Sequence, residues 1–182
     1  MENPVFEQLR QYLLRLLQRA DAMVREATDG LADEQLYYQP TKDTNSIAWL
    51  AWHLSRRREF YSAVFHREPH VWVTGGWAAR FGMDPSDVDI GTGMGFTPDQ
   101  VAAFRPPRGL LFGYVNAVCE AAVDRVSRLT LQMMGQEYDL DAGRGMRVGW
   151  TVLNPFINDS IVHSGQIAYI RGMVSGFGWQ GR

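Results

Sequence analysis

Large apolar residues recur at three- and four-residue spacing in four stretches of the chain, the period of a helix with one buried face. The first stretch opens at Asn3-Pro4, an N-cap followed by proline at the first helical position. It carries Phe6, Leu9, Leu13, Leu16, Leu17, Ala20, Met23, Val24 and Ala27 to a stop near Asp29-Gly30. After a linker around Pro40 to Thr44, the second helix runs from about Asn45 to His66, with Ile47, Leu50, His53, Leu54, Tyr61 and Val64 inward. The third spans roughly Arg108 to Thr130, with Leu111, Tyr114, Val115, Val118, Ala122, Val126 and Leu129 inward. The fourth occupies Val152 to Val174, where Val152, Phe156, Ile167, Ile170 and Val174 share a face. Pro155 is tolerable there because it falls near the first turn. Four long amphipathic helices without an alternating strand pattern predict an all-α fold, a four-helix bundle in which residues 1–182 form one domain.

The helical pattern breaks between the second and third helices. From Pro69 to Gly95 no periodicity is convincing, and glycines are dense around Trp72 and Trp77. A connection this long is either a lid or binding wall, or a surface excursion anchored by its tryptophans. Asp87, Asp89 and Gly91 bear a faint likeness to a calcium loop, but the closing glutamate and the regular acidic spacing are missing. Thr97-Pro98-Asp99-Gln100 has the residues of a capping box and predicts a short helix that ends before Pro106-Pro107. Gly135 to Gly149 is polar and glycine-rich, with room for a short extended piece.

Composition narrows the class. Apolar residues make up 46% and charged residues 21%, so the chain is globular rather than disordered. A net charge of −2 gives no electrostatic footprint for nucleic acid or an anionic membrane. Arg56-Arg57-Arg58 is the single basic cluster and reads as the solvated side of a helix. With one cysteine, Cys119, no internal disulfide forms, which fits a reducing cytoplasm; Cys119 reads as a small packing residue. No secretory segment and no run of eighteen apolar residues is present, so neither secretion nor membrane spanning is expected.

Candidate chemistry lies on the fourth helix. Asp159 and His163 are four residues apart, so a helix stacks them one turn from each other, where they fill the gap in the apolar series. An ionisable pair on a core-facing stripe needs compensation. A divalent metal supplies it, and so does an Asp–His ion pair or a hydrogen-bonded core histidine. His53, in the most apolar part of the second helix, is a third ligand if it meets the last helix, and otherwise a satisfied core residue. His66 and His70 fall at the helix end and in the loop, where exposure is expected.

Ser46-Ile47-Ala48-Trp49-Leu50-Ala51-Trp52-His53-Leu54, with His163-Ser-Gly-Gln166-Ile-Ala-Tyr-Ile-Arg171-Gly172 far downstream, resembles the DinB/YfiT-like superfamily over nearly the whole chain. The resemblance implies that His53, Asp159 and His163 bind a divalent metal, zinc or nickel. An aspartate stands here where many members have histidine, which shifts preference away from softer ions. It also implies a metal-dependent thiol S-transferase or isomerase using mycothiol or bacillithiol on a small-molecule substrate, in a homodimer. A metal-dependent hydrolase, or a non-catalytic bundle that binds a small molecule, are the alternatives. Arg171 either holds an anionic substrate or favours its helix end, and the second reading is preferred.

Overall fold

The computed structural model describes residues 3–84, 92–140, 145–176 and 178–180, and these are mostly helical. The long helices are α1 (Pro4–Thr28), α3 (Ile47–His66), α7 (Arg108–Ser127) and α9 (Gly149–Ser175). Short helices α2 (Asp33–Leu36), α4 (Val71–Thr74), α5 (Trp77–Arg80), α6 (Pro98–Ala103) and α8 (Leu131–Gly135) fill the connections. The expected extended piece is a hairpin, β1 (Glu137–Asp139) against antiparallel β2 (Met146–Val148), with Tyr138 opposite Arg147. Among the described residues, no helix is long and apolar enough to cross a membrane.

Local chemistry sets the helix ends. The Asn3 side chain accepts from the Val5 N–H at 2.9 Å, and Ser46 caps α3 by accepting from the Trp49 N–H at 3.2 Å. Thr97 and Gln100 cap each other reciprocally at α6. The last helix starts at Gly149, ahead of its apolar face, so Pro155 sits in the second turn and not the first. Proline has no N–H for the Thr151 carbonyl, but Thr151 is exposed and water can serve that oxygen instead.

Helix α3 is the central element, packed chiefly against α9 and α7, while α1 closes the far side against α9. Every residue from Ile47 to Ala63 is buried except Arg57, which is half-buried. No solvated side therefore remains for the three arginines, and that expectation is corrected. Consecutive helical residues fan about 100° apart, so each guanidinium meets a different wall. Arg56 pairs with the fully buried Glu59 and lies 4.3 Å over the Trp72 ring. Glu59 also accepts from the Trp72 N–H at 2.9 Å and the Tyr114 hydroxyl at 3.0 Å. The tryptophans of the 69–95 connection thus anchor it: Trp72 and Trp77 are both buried in the core. Asp87, Asp89 and Gly91 lie outside the described residues.

Arg58 reaches into the centre. One of its terminal nitrogens donates to Asp21 of α1 and, at 3.2 Å, to the Cys119 sulfur of α7; its Nε donates to the Ser160 hydroxyl of α9 at 3.2 Å. A single guanidinium thereby touches all four long helices. The hydrophobic core divides at this layer. Val24, Leu54, Val118 and Ile167 lie in one apolar cluster; Leu17, Phe60, Ala122 and Phe156 lie in the other.

Candidate functional site

The buried face of α9 runs Val152, Phe156, Ser160, Ser164, Ile167, Ile170. The gap in the apolar series is therefore filled by two serines, and the expectation that Asp159 and His163 fill it is corrected. Each serine returns its hydroxyl to its own helix at 2.9 Å, Ser160 to the Phe156 carbonyl and Ser164 to that of Ile161. Asp159 and His163 stand one residue back, about 100° round the helix, on a half-buried flank. That flank faces α3, where the side chains of Arg57 and His53 meet it.

His53 is 6% exposed. Its ring stacks on Trp49 with centroids 4.5 Å apart and meets the edge of His163 at 5.0 Å and 78°. The Nδ1–H of His53 donates to the Thr92 carbonyl, and the Nδ1–H of His163 donates to the Gln166 side-chain oxygen at 2.7 Å. Both partners are acceptors, so each ring carries a proton on Nδ1, and the other nitrogen of an uncharged ring is then a lone-pair donor to a ligand. Burial pushes the His53 pKa down to about 4; the Thr92 carbonyl opposes this, and the neighbouring His163 and Arg57 add to it. At neutral pH the His53 ring is uncharged.

Asp159 is engaged by a cation. Its Oδ2 accepts from Arg57 Nε at 2.8 Å, with the two side chains 19% and 13% exposed. The same guanidinium lies 4.9 Å over the Tyr61 ring and places a terminal nitrogen 3.2 Å from the Met94 sulfur. The structure thus brings His53 and His163 together and turns Asp159 toward Arg57. Among the described residues, no three His, Cys, Asp or Glu side chains are already gathered as an ion-holding group.

The wall over His53 is backbone. Gly93 has φ +79°, and a Cβ there would lie 2.7 Å from the Trp52 ring and 3.0 Å from that of Trp49. Only glycine both adopts this conformation readily and lets the chain come close enough to seat the Thr92 carbonyl on His53.

The donor types fit a divalent ion. Two imidazoles with Nδ1 committed elsewhere, and a carboxylate with one oxygen committed to a guanidinium, are the arrangement of ligands oriented by outer partners. Sequence reasoning missed Arg57, Thr92 and Gln166. For Arg57 a signal existed: it is four residues past His53, the spacing that groups Asp159 with His163. Thr92 acts through its carbonyl, which no side-chain pattern reveals.

The other expectations resolve as follows. His66 is half-buried, its Nε2 donating to the Arg125 carbonyl at 2.9 Å, and His70 packs on Phe60. Burial pushes the Cys119 thiol up to about 12, against the pull of Arg58, so the thiol is inert. Arg171 lies just before the last turn of α9 and packs 5.9 Å from the Trp179 ring, with Nε buried and without a partner among the described residues.

A crystal structure of a conserved protein of locus from Enterococcus faecalis is similar to this chain, with a TM-score of 0.78 and 21% identity over 91% of this chain and 96% of that one. At that identity the likeness speaks for the fold. No curated protein matches by sequence. The sequence model of the DinB superfamily matches residues 7–167, which takes in α3 and α7 whole, most of α1 and α9, and His53, Asp159 and His163: the chain belongs to the DinB superfamily.

Proposed function

We propose that this chain is a metal-dependent enzyme on a four-helix bundle of the DinB/YfiT type, with His53, Asp159 and His163 holding a divalent ion, zinc or nickel. Its reaction is transfer of a low-molecular-weight thiol, mycothiol or bacillithiol, to a small electrophile, or an isomerisation by way of such transfer. The observation that carries the reading is the pair of adjoining imidazoles, 5.0 Å apart, each of which gives only Nδ1 to an oxygen among the described residues. A divalent ion held there supplies Lewis acidity, which lowers the pKa of a thiol or water. The residues divide the remaining work. The Thr92 carbonyl and Trp49 fix the His53 ring, Gln166 steers His163, and Arg57 balances the charge of Asp159.

One observation favours a second reading, a non-catalytic bundle that binds a small molecule: Arg57 already neutralises Asp159 without an ion. Titration of the purified protein with zinc and nickel, followed by a thiol-transfer screen, separates the two. The metal reading expects stoichiometric binding that His163→Ala removes; wild-type protein that takes up neither ion overturns it. A homodimer is part of the proposal, since Val5, Tyr12 and Trp150 leave large apolar side chains exposed on the long helices. Light scattering that gives a monomer mass at tens of micromolar overturns that part.

A further inference from the structure

Helices α3 and α9 run antiparallel, since Arg57 meets Asp159 while His53, earlier on α3, meets the later His163. Continuing the same way, Leu50 and then Asn45 come alongside Gln166 and the residues after it. Here the two elements part. A groove of about 610 Å³ opens between α9 and the segment leading into α3, lined by Asp43, Asn45, Leu50, Val162, Gln166 and Tyr169 among others. That volume lies in the range of small-molecule sites, about 300–1,000 Å³.

Three features give the groove a direction and a chemistry. Its α9 wall begins at Val162, the neighbour of His163 in the chain, and one turn on comes Gln166, whose side-chain oxygen already holds His163. From Val162 to Met173 its α9 wall spans twelve residues, about 16 Å at a rise of 1.5 Å per residue. Val162, Tyr169 and Met173 are exposed along that wall, and Leu50 and Ile170 are buried behind it. Among the described lining residues the single formal charge is Asp43, which precedes α3 and so stands toward the end away from the histidines.

We propose that this groove binds an elongated, chiefly apolar small molecule with its reacting end at Gln166 and His163 and a positively charged end beside Asp43 and Tyr169. An aromatic face and a carboxylate together favour an ammonium over an anion. The proposal rests on the metal-dependent reading only for which end of the molecule reacts.

Gly165 supplies the test. It lies in the groove wall at ordinary helical φ, and a Cβ there would meet nothing within 4 Å. Gly165→Phe therefore fits the helix and obstructs the groove, and Gly165→Ala is the control that fits without filling it. Calorimetric titration of the full chain, free of metal and thiol, compares decyltrimethylammonium with decyl sulfate below their micelle concentrations. We expect saturable binding of the ammonium at least about tenfold tighter than of the sulfate, a preference that Asp43→Asn abolishes. We expect a further loss of about tenfold or more in Gly165→Phe and none in Gly165→Ala. Equal affinity for the two probes, or ammonium binding that Gly165→Phe leaves unchanged, overturns the proposal. So does a dimer that Gly165→Phe dissociates, because the occupant is then a second copy. A chain that takes zinc but not the ammonium loses the groove alone, and one that takes the ammonium but no metal loses the metal reading alone.

Discussion

Two polar clusters lie side by side between α3 and α9, and they spend their hydrogen-bonding capacity differently. In the central one Arg58 gives its protons to Asp21, Cys119 and Ser160, and only one terminal nitrogen is left over among the described residues. One turn away, the rings of His53 and His163 meet edge to face, and among the described residues each gives only Nδ1 to a hydrogen bond. The first cluster is held among the four long helices; the second is covered on one side by Thr92 and Gly93, and Gln166, the partner of His163, lines the groove. A polar group that is buried and satisfied holds the fold, whereas one that is oriented and unsatisfied is available to a ligand. The same pair of helices does both within a few residues.

The largest effect expected is at the closed cluster. Arg58→Met leaves the Asp21 carboxylate buried without its cation and is expected to cost about 3–5 kcal/mol in urea unfolding. The double variant with Asp21→Leu is expected to recover most of that loss, since an apolar pair carries no desolvation penalty. A double variant as unstable as the single one breaks the assignment of the cost to the stranded charge.

His163→Ala should separate the clusters most clearly. Its unfolding free energy is expected within about 1 kcal/mol of wild type, because His163 is only half-buried and alanine is the best helix former. Zinc affinity is expected to fall more than about 100-fold, since losing an outer partner alone costs 10–100-fold. Destabilisation as large as that of Arg58→Met would place this histidine with the structural cluster. Arg57→Gln is a milder probe. The ion pair with Asp159 is partly exposed and is worth no more than about 1 kcal/mol. Zinc should bind several-fold more tightly once the competing cation is gone, and weaker binding would recast Arg57 as a partner that orients the carboxylate.

The smallest effect concerns Cys119. With its thiol pushed up to about 12, only about one molecule in ten thousand is thiolate at pH 8. Labelling by iodoacetamide should be negligible in the folded chain and rapid in urea. Rapid labelling of the folded chain would mean that the closed cluster opens.

Much of the fold is written in short-range chemistry and is legible in the sequence. Asn3-Pro4 and Thr97 to Gln100 cap the helices they should, and the inward residues of α7 are buried as their spacing requires. What escapes is set by partners far along the chain. Arg58 is buried and not solvated because an aspartate 37 residues earlier and a serine 102 residues later meet it in the core. On α9, apolar spacing left a gap that two pairs could fill. The pair that fills it is serine, small enough to bond its own helix, while the ionisable pair stands to one side. His53 was legible as a candidate because its surroundings are so apolar; the carbonyl that fixes its ring was not.

Gly93 has a bearing on how this site is passed on through sequence change. The group that orients His53 belongs to the peptide backbone, which every amino acid possesses, so no mutation can delete it. What mutation can delete is its position, and that is held by an absent atom: any side chain at residue 93 drives its Cβ into the Trp52 ring. The orientation of a candidate metal-binding imidazole is thus encoded one residue away from the atom that provides it, as an unoccupied space between two indoles.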